Sequence, residues 1–223
     1  NEKILMNLRI IDPSQKMDEI GNIVIDEKGK IRSIGKKSDS SKTAEKIDLK
    51  GLVAIPGLVD MKAFVGEPGF EYKENFRTLS QAALAGGVTS IVTMPNTKPI
   101  IDNVSMVDFI IRRGRDKAKV NLFPCASITR QKEGNQMTEF GLLKARGIIG
   151  FSDVNKTIQN TELMSRIMNY ASDIDVLIMQ HAEDYELAKN SCINQGEVAT
   201  RLGLQGVSDI AEKIIIERDL SLL

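Results

Sequence analysis

A chain of 223 residues accommodates one large α/β domain or two small ones. Hydrophobic residues make up 42% and charged residues 27%, enough for a sizeable core, which excludes a disordered, collagen-like or disulfide-scaffold chain. Thirty basic residues balance thirty acidic ones, so the net charge of zero gives no electrostatic reason to bind nucleic acid or an anionic membrane.

In chain order, the first fifty residues read as short strands and turns. Leu5 to Ile11 is apolar-rich and ends at the turn signal Asp12-Pro13-Ser14. Asn22 to Asp26 follows, then Lys28-Gly29-Lys30 as a hairpin turn into Ile31 to Gly35. Lys36 to Lys46, charged and serine-rich, reads as a loop or insert. From Leu52 onward the pattern becomes strands alternating with helices. Leu52 to Val59 is apolar around Pro56-Gly57, and Glu71 to Ala85 has helical spacing up to a stop at Gly86-Gly87. Val88 to Met94 is a strand of the buried type, and Val104 to Gly114 a helix capped by Asn103. The alternation continues with strand Val120 to Ala126, helix Met137 to Ala145 and strand Gly147 to Phe151. Helix Thr161 to Ala171, strand Val176 to Met179, helix Glu183 to Cys192 and a last helix from Ser208 to Arg218 complete it.

This alternation predicts a parallel sheet with right-handed crossovers, either doubly wound or part of a (β/α)-barrel. No G-x-G-x-x-G follows a strand, which disfavours dinucleotide binding. About five units are too few to close an eight-stranded barrel of ~250 residues. Two cysteines, Cys125 and Cys192, lack metal-site spacing and fit a reducing, cytoplasmic compartment. No apolar run approaches the ~20 residues of a membrane helix, and the N-terminus carries no signal-peptide pattern. In either architecture, chemistry gathers at the C-terminal ends of the strands. Those positions are Asp60 to Gly66, Met94 to Thr97, Ser127 to Thr129, Ser152 to Asn155 and Gln180 to Asp184. The same small polar residues also serve as ordinary turn and cap residues. The basic run Arg112, Arg113, Arg115, Lys117 and Lys119 reads as complementing a helix dipole. Cys125 reads as a small buried hydrophobe.

The segments Ile55-Pro56-Gly57-Leu58-Val59-Asp60, Glu67-Pro68-Gly69, Ala85-Gly86-Gly87-Val88-Thr89 and Met94-Pro95-Asn96-Thr97 resemble the dihydroorotase branch of the amidohydrolase superfamily. Gln180-His181-Ala182-Glu183-Asp184, Asn194-Gln195-Gly196-Glu197-Val198 and Leu202-Gly203-Leu204 continue the match, and Arg9 to Pro13 and Gly29 to Ile31 resemble the family's small β-domain. The resemblance implies an α/β fold: a partial (β/α)8 TIM-type barrel over residues 52–223, with residues 1–51 contributing the N-terminal part of a small β-sandwich. It also implies zinc and the interconversion of carbamoyl-aspartate and dihydroorotate. Zinc would lower the pKa of an attacking water and polarise the amide carbonyl.

The ligand positions depart from that pattern. Lys62 and Phe64 stand where the family has two histidines, and Gly66 where it has an arginine holding the substrate carboxylate. Val154 stands at the fourth-strand aspartate, beside Asp153, which reads as a cap or supporting residue. His181 keeps a metal-ligand position and Asn96 a substrate-binding one. Lysine repels zinc, phenylalanine offers no donor and glycine cannot clamp a carboxylate. One histidine cannot make a zinc site. The expectation is therefore a chain without catalytic residues or a cofactor of its own, similar to the inactive dihydroorotase-like subunits that support aspartate carbamoyltransferase, and homo-oligomeric. The alternative left open is a zinc-dependent dihydroorotase or cyclic-amide hydrolase completed by a C-terminal half. A further expectation is that Lys62 acts as a fixed cation neutralising carboxylates such as Asp60.

Overall fold

The computed structural model describes residues 1–36 and 43–223. The chain divides into two compact units, Asn1–Gly57 and Leu58–Leu223.

The first unit is a five-stranded mixed sheet. Strands β1 (Lys3–Asp12), β2 (Met17–Ile25), β3 (Ile31–Gly35), β4 (Glu45–Asp48) and β5 (Val53–Ala54) arrange as β3-β2-β1-β4, with β5 also beside β1. The β1–β2 and β2–β3 pairs are antiparallel, while β4 and β5 run parallel to β1. The turns are specified locally. The Asp12 carboxylate accepts the Ser14 N–H at 3.0 Å, and the Asp26 carboxylate accepts those of Lys28 and Lys30. Alternation turns Leu8, Ile10 and Ile23 into one small core. Of the expected loop at Lys36 to Lys46, residues 37–42 lie outside the described residues, and Glu45 and Lys46 begin β4.

The second unit alternates parallel strands with helices: β6 (Leu58–Ala63), α1 (Phe76–Ala85), β7 (Val88–Thr93), α2 (Val104–Lys117), β8 (Asn121–Pro124), α3 (Phe140–Ala145), β9 (Gly150–Phe151), α4 (Thr161–Asp173) and β10 (Leu177–Ile178). Strands β6, β7 and β8 form one parallel sheet, and β9 and β10 another. A parallel bridge between Ala126 and Phe151 continues the order from β8 to β9. The segment Leu52 to Val59 is divided between the units, Val53–Ala54 joining the first sheet and Leu58 opening the second.

The helix expected from Glu71 starts at Phe76, because the Asn75 side chain caps it by accepting from the N–H groups of Arg77 and Thr78. The helix expected over Glu183 to Cys192 shrinks to the single turn α5 (Tyr185–Ala188), capped by Asp184. Beyond it β11 (Ile193–Asn194) and β12 (Gly206–Val207) pair in parallel across α6 (Glu197–Leu202). The last helix, α7, covers Ile210–Leu222. Among the described residues no helix is long and apolar enough to cross a membrane.

The main core lies between helices and strands. Phe76, Ile110, Leu143, Met164 and Ile167 from the helices meet Ala126, Ile128 and Phe151 from the strand side. The Phe140 and Phe151 rings stack at 4.0 Å between centroids. Phe151→Ala should therefore cost ~3–5 kcal/mol in a denaturant titration. Leu142→Ala, at a side chain 61% exposed on α3, should stay within ~0.5 kcal/mol of the parent.

Candidate functional site

The C-terminal ends of the parallel strands carry the polar and anomalous positions. On β6 the Asp60 carboxylate accepts the Lys62 backbone N–H at 2.9 Å. Among the described residues no carboxylate lies within 4.0 Å of the Lys62 ammonium. The expected neutralisation of Asp60 by Lys62 is therefore not formed; the Asp60 carboxylate bonds to the backbone N–H of Lys62 and not to its ammonium.

The loop after β6 is built around a glycine. Gly66 has φ +72°, and a Cβ there would stand 2.7 Å from the Glu74 carbonyl oxygen and 2.9 Å from that of Phe70. The Phe70 N–H donates to the Gly66 carbonyl at 2.6 Å, closing the turn. An arginine at this position requires a different loop path, not only a different side chain. Glu67, next in the chain, is 4% exposed. It accepts from the Arg113 guanidinium at 2.6 Å with one oxygen and from the Phe76 N–H at 3.1 Å with the other. This buried carboxylate ties the loop to the start of α1 and to α2, so Arg113 does more than complement a helix dipole. Phe64 stands at the base of an aromatic chain, 6.3 Å from the Phe70 ring, which lies 6.5 Å from Tyr72.

Past β7, the Asn96 side-chain oxygen is buried and has no hydrogen-bond partner among the described residues. Past β9, Asp153 is buried beneath the loop that follows β8. One carboxylate oxygen accepts the Thr129 N–H at 3.1 Å, and the other accepts the Thr129 hydroxyl. That hydroxyl in turn accepts from the Gly134 N–H at 2.9 Å. Burial pushes the Asp153 pKa above the usual carboxylate value, while the Thr129 hydrogen bonds pull the other way. Asp153 thus organises a loop, as a supporting residue would.

Val154 has φ +64°, a conformation that β-branched residues rarely adopt. It packs with Met179 against Val92, Met94 and Cys125, an apolar cluster separate from the helix-facing core. Burial pushes the Cys125 thiol pKa up, which leaves it an inert hydrophobe.

His181 follows β10. Its Nε2 lies 3.8 Å from Glu183, and its carbonyl accepts the Thr157 hydroxyl at 2.5 Å. The same hydroxyl accepts the Glu183 N–H at 3.1 Å, so Thr157 pins the His181–Glu183 turn. Sequence reading passed over Thr157, whose only signal is a polar residue after a strand. His181 and Lys62 share a cleft of about 540 Å³ with Gln180, Asn194, Gln195 and residues at the start of α7.

A zinc centre needs about three protein donors of nitrogen, sulfur or carboxylate oxygen. Among the described residues no three His, Cys, Asp or Glu side chains are grouped to hold a metal. Lys62 and Phe64 bring a cation and a ring to the mouth, and Val154 an apolar contact. The donor set at these positions does not fit zinc.

Substitutions at two positions probe this arrangement. Gly66→Ala should cost ~2 kcal/mol or more, since φ is positive and the nearest obstacles are backbone oxygens. Asp153→Ala should cost ~3 kcal/mol by orphaning the Thr129 N–H, and Asp153→Asn much less, since the amide oxygen replaces one acceptor. Because the folded pKa of Asp153 is raised, its contribution to stability is full below the unfolded value and is lost as pH rises through the folded one. Denaturant curves should therefore show the parent losing stability relative to Asp153→Asn as pH rises above the usual carboxylate range.

The family described as "Dihydro-orotase-like" matches residues 51–223. The chain is 41% identical over 220 residues to a dihydroorotase of Syntrophus aciditrophicus and over 219 residues to one of Pelobacter propionicus, covering 98% of this chain and 51% of each relative. It thus spans about half the length of the curated relatives it matches. Among solved structures, an L-hydantoinase from Arthrobacter aurescens superposes with a TM-score of 0.76 at 18% identity, over 98% of this chain and 49% of that one. A D-hydantoinase from Thermus sp. gives 0.73 at 19% identity, over 99% and 49%. These structural likenesses establish a shared α/β fold with amidohydrolase enzymes. With a family match over residues 51–223, more than half of its length, the chain belongs to the dihydroorotase-like family.

Proposed function

We propose that this chain is a dihydroorotase-like protein of pyrimidine biosynthesis that does not itself turn over substrate. Its parallel strands are then the first five or so units of a (β/α)8 barrel of the amidohydrolase type. The observation that carries the reading is the coincidence of Lys62, Phe64, Gly66 and Val154 at the positions where the family places its donors and its carboxylate clamp. The loop geometry at Gly66 and the apolar packing of Val154 support it, since both extend the change beyond a single side chain. The role we assign is structural: a cytoplasmic homo-oligomer supporting aspartate carbamoyltransferase through protein contacts.

A second reading is favoured by the comparison with relatives. The 41% identity is to proteins named dihydroorotase, and the chain spans 51% of their length. In that reading the chain is half of a zinc-dependent dihydroorotase or cyclic-amide hydrolase, with the remaining donors in a C-terminal half.

Zinc content and dihydroorotate hydrolysis, measured on one sample of the full-length gene product, separate the two. The expected outcome is substoichiometric zinc, no turnover, and co-purification with aspartate carbamoyltransferase. Stoichiometric zinc with turnover overturns the first reading in favour of the second.

A further inference from the structure

The cleft shared by Lys62 and His181 has a charge pattern that a vanished metal site does not explain. Its lining includes four ionisable side chains besides Lys62: His181, Glu183, Asp209 and Glu212, and Lys213 reaches Asp209 from one turn along α7. Most of these are spoken for. Glu183 lies 3.8 Å from His181, a charge pair only when the imidazole is protonated, and the Asp209 carboxylate forms an ion pair with the Lys213 ammonium, which holds the Asp209 pKa below the usual range. Two side chains have no oppositely ionisable group within 4.0 Å among the described residues, the Lys62 ammonium and the Glu212 carboxylate. They border one cleft of about 540 Å³, whose other polar walls are the side chains of Gln180, Asn194, Gln195 and Ser208.

We propose that this cleft binds a small zwitterion, an α-amino acid or a dipeptide, without a metal. The ligand carboxylate meets Lys62, its ammonium meets Glu212, and the amide side chains satisfy its remaining donors and acceptors. A purely anionic ligand faces Glu183, Asp209 and Glu212 across the same cleft, and a purely cationic one faces Lys62. Only a molecule carrying both charges matches the two that are free. The amides suit such a ligand because they donate and accept equally well. The inference rests on the proposed loss of zinc, because a metal at this mouth would occupy the position that Lys62 now takes.

The test is calorimetric titration of the full chain at low and at physiological salt. The probes are L-asparagine and L-alanyl-L-alanine, with N-acetyl-L-asparagine and L-asparagine amide as controls that each lack one charge. At least one zwitterion should bind, and the control derived from asparagine should bind about tenfold more weakly or not at all. The better zwitterion identifies the separation of the two charges. Lys62→Met and Glu212→Gln should each weaken binding by about tenfold, and Lys62→Arg should largely retain it. Thermal melts establish that the variants fold; both side chains are exposed, so their loss leaves the core intact. The absence of binding by either zwitterion overturns the proposal, as does a blocked control binding as tightly as its parent, or a variant without effect. Zinc content of the same sample keeps the two readings apart. No binding by a zinc-free sample removes this inference alone, whereas stoichiometric zinc removes the reading beneath it.

Discussion

Everything at the strand ends depends on one apolar layer, the contact between the helices and one face of the parallel strands. Side chains alternate along a strand, so committing Ala126, Ile128 and Phe151 to that layer commits Cys125 to the opposite face. The helix-facing set is closely packed, with Phe76, Ile110, Phe140, Phe151 and Ile167 fully or almost fully withdrawn from solvent. A change of one methylene there is felt through the whole unit. The opposite face carries a second apolar cluster, in which Val92, Met94 and Cys125 pack with Val154 and Met179, separate from that layer.

The loops at the mouth are held from below by two buried carboxylates with different partners. Glu67 accepts a cationic guanidinium and a helix N–H, a charge-assisted arrangement that offsets its burial. Asp153 accepts neutral donors from Thr129, and burial raises its pKa against the pull of those hydrogen bonds. Both act as anchors: Glu67 fixes the path of residues 66–74, and Asp153 fixes the loop over residues 129–134. Neither role requires a metal. A carboxylate at a strand end is therefore weak grounds for naming a ligand, since tying a long loop to the sheet demands the same residue type.

Much of the fold was legible in the sequence, because the period of the apolar residues and the punctuation by Asn, Gly and Pro are local signals. Asn103 capping α2 and the stop of α1 at Gly86 were readable from residue identity alone. The start of α1 was misplaced because Glu71, Lys73 and Glu74 have good helix propensity. The Gly66 turn and the Asn75 cap override it. The β11–β12 pair was invisible, being two residues long on each side and made only by the return of the chain through α6. At the site, the identities of Lys62, Phe64 and Val154 were read directly. The Glu67–Arg113 ion pair and the Thr157 staple are contacts between distant segments, and no local pattern encodes them.

Gly66 and Val154 both have positive φ, and only at the first does the residue suit the conformation. At Gly66 residue and conformation agree: φ +72° suits glycine, and the neighbouring carbonyls of Phe70 and Glu74 close in to where a Cβ would stand. The loop and its residue have become mutually adapted. At Val154 they disagree, since φ +64° is a conformation that aspartate, asparagine or glycine adopts more readily than a β-branched residue. Holding valine there costs on the order of 1–3 kcal/mol, offset by its packing with Met179 against Val92, Met94 and Cys125. The backbone at residue 154 has the shape of a turn that suits a polar residue while its side chain serves an apolar cluster, so the turn is held by something other than residue 154 itself. The strand end beside Asp153 is such a turn, because the Asp153 hydrogen bonds to Thr129 fix the chain immediately before residue 154.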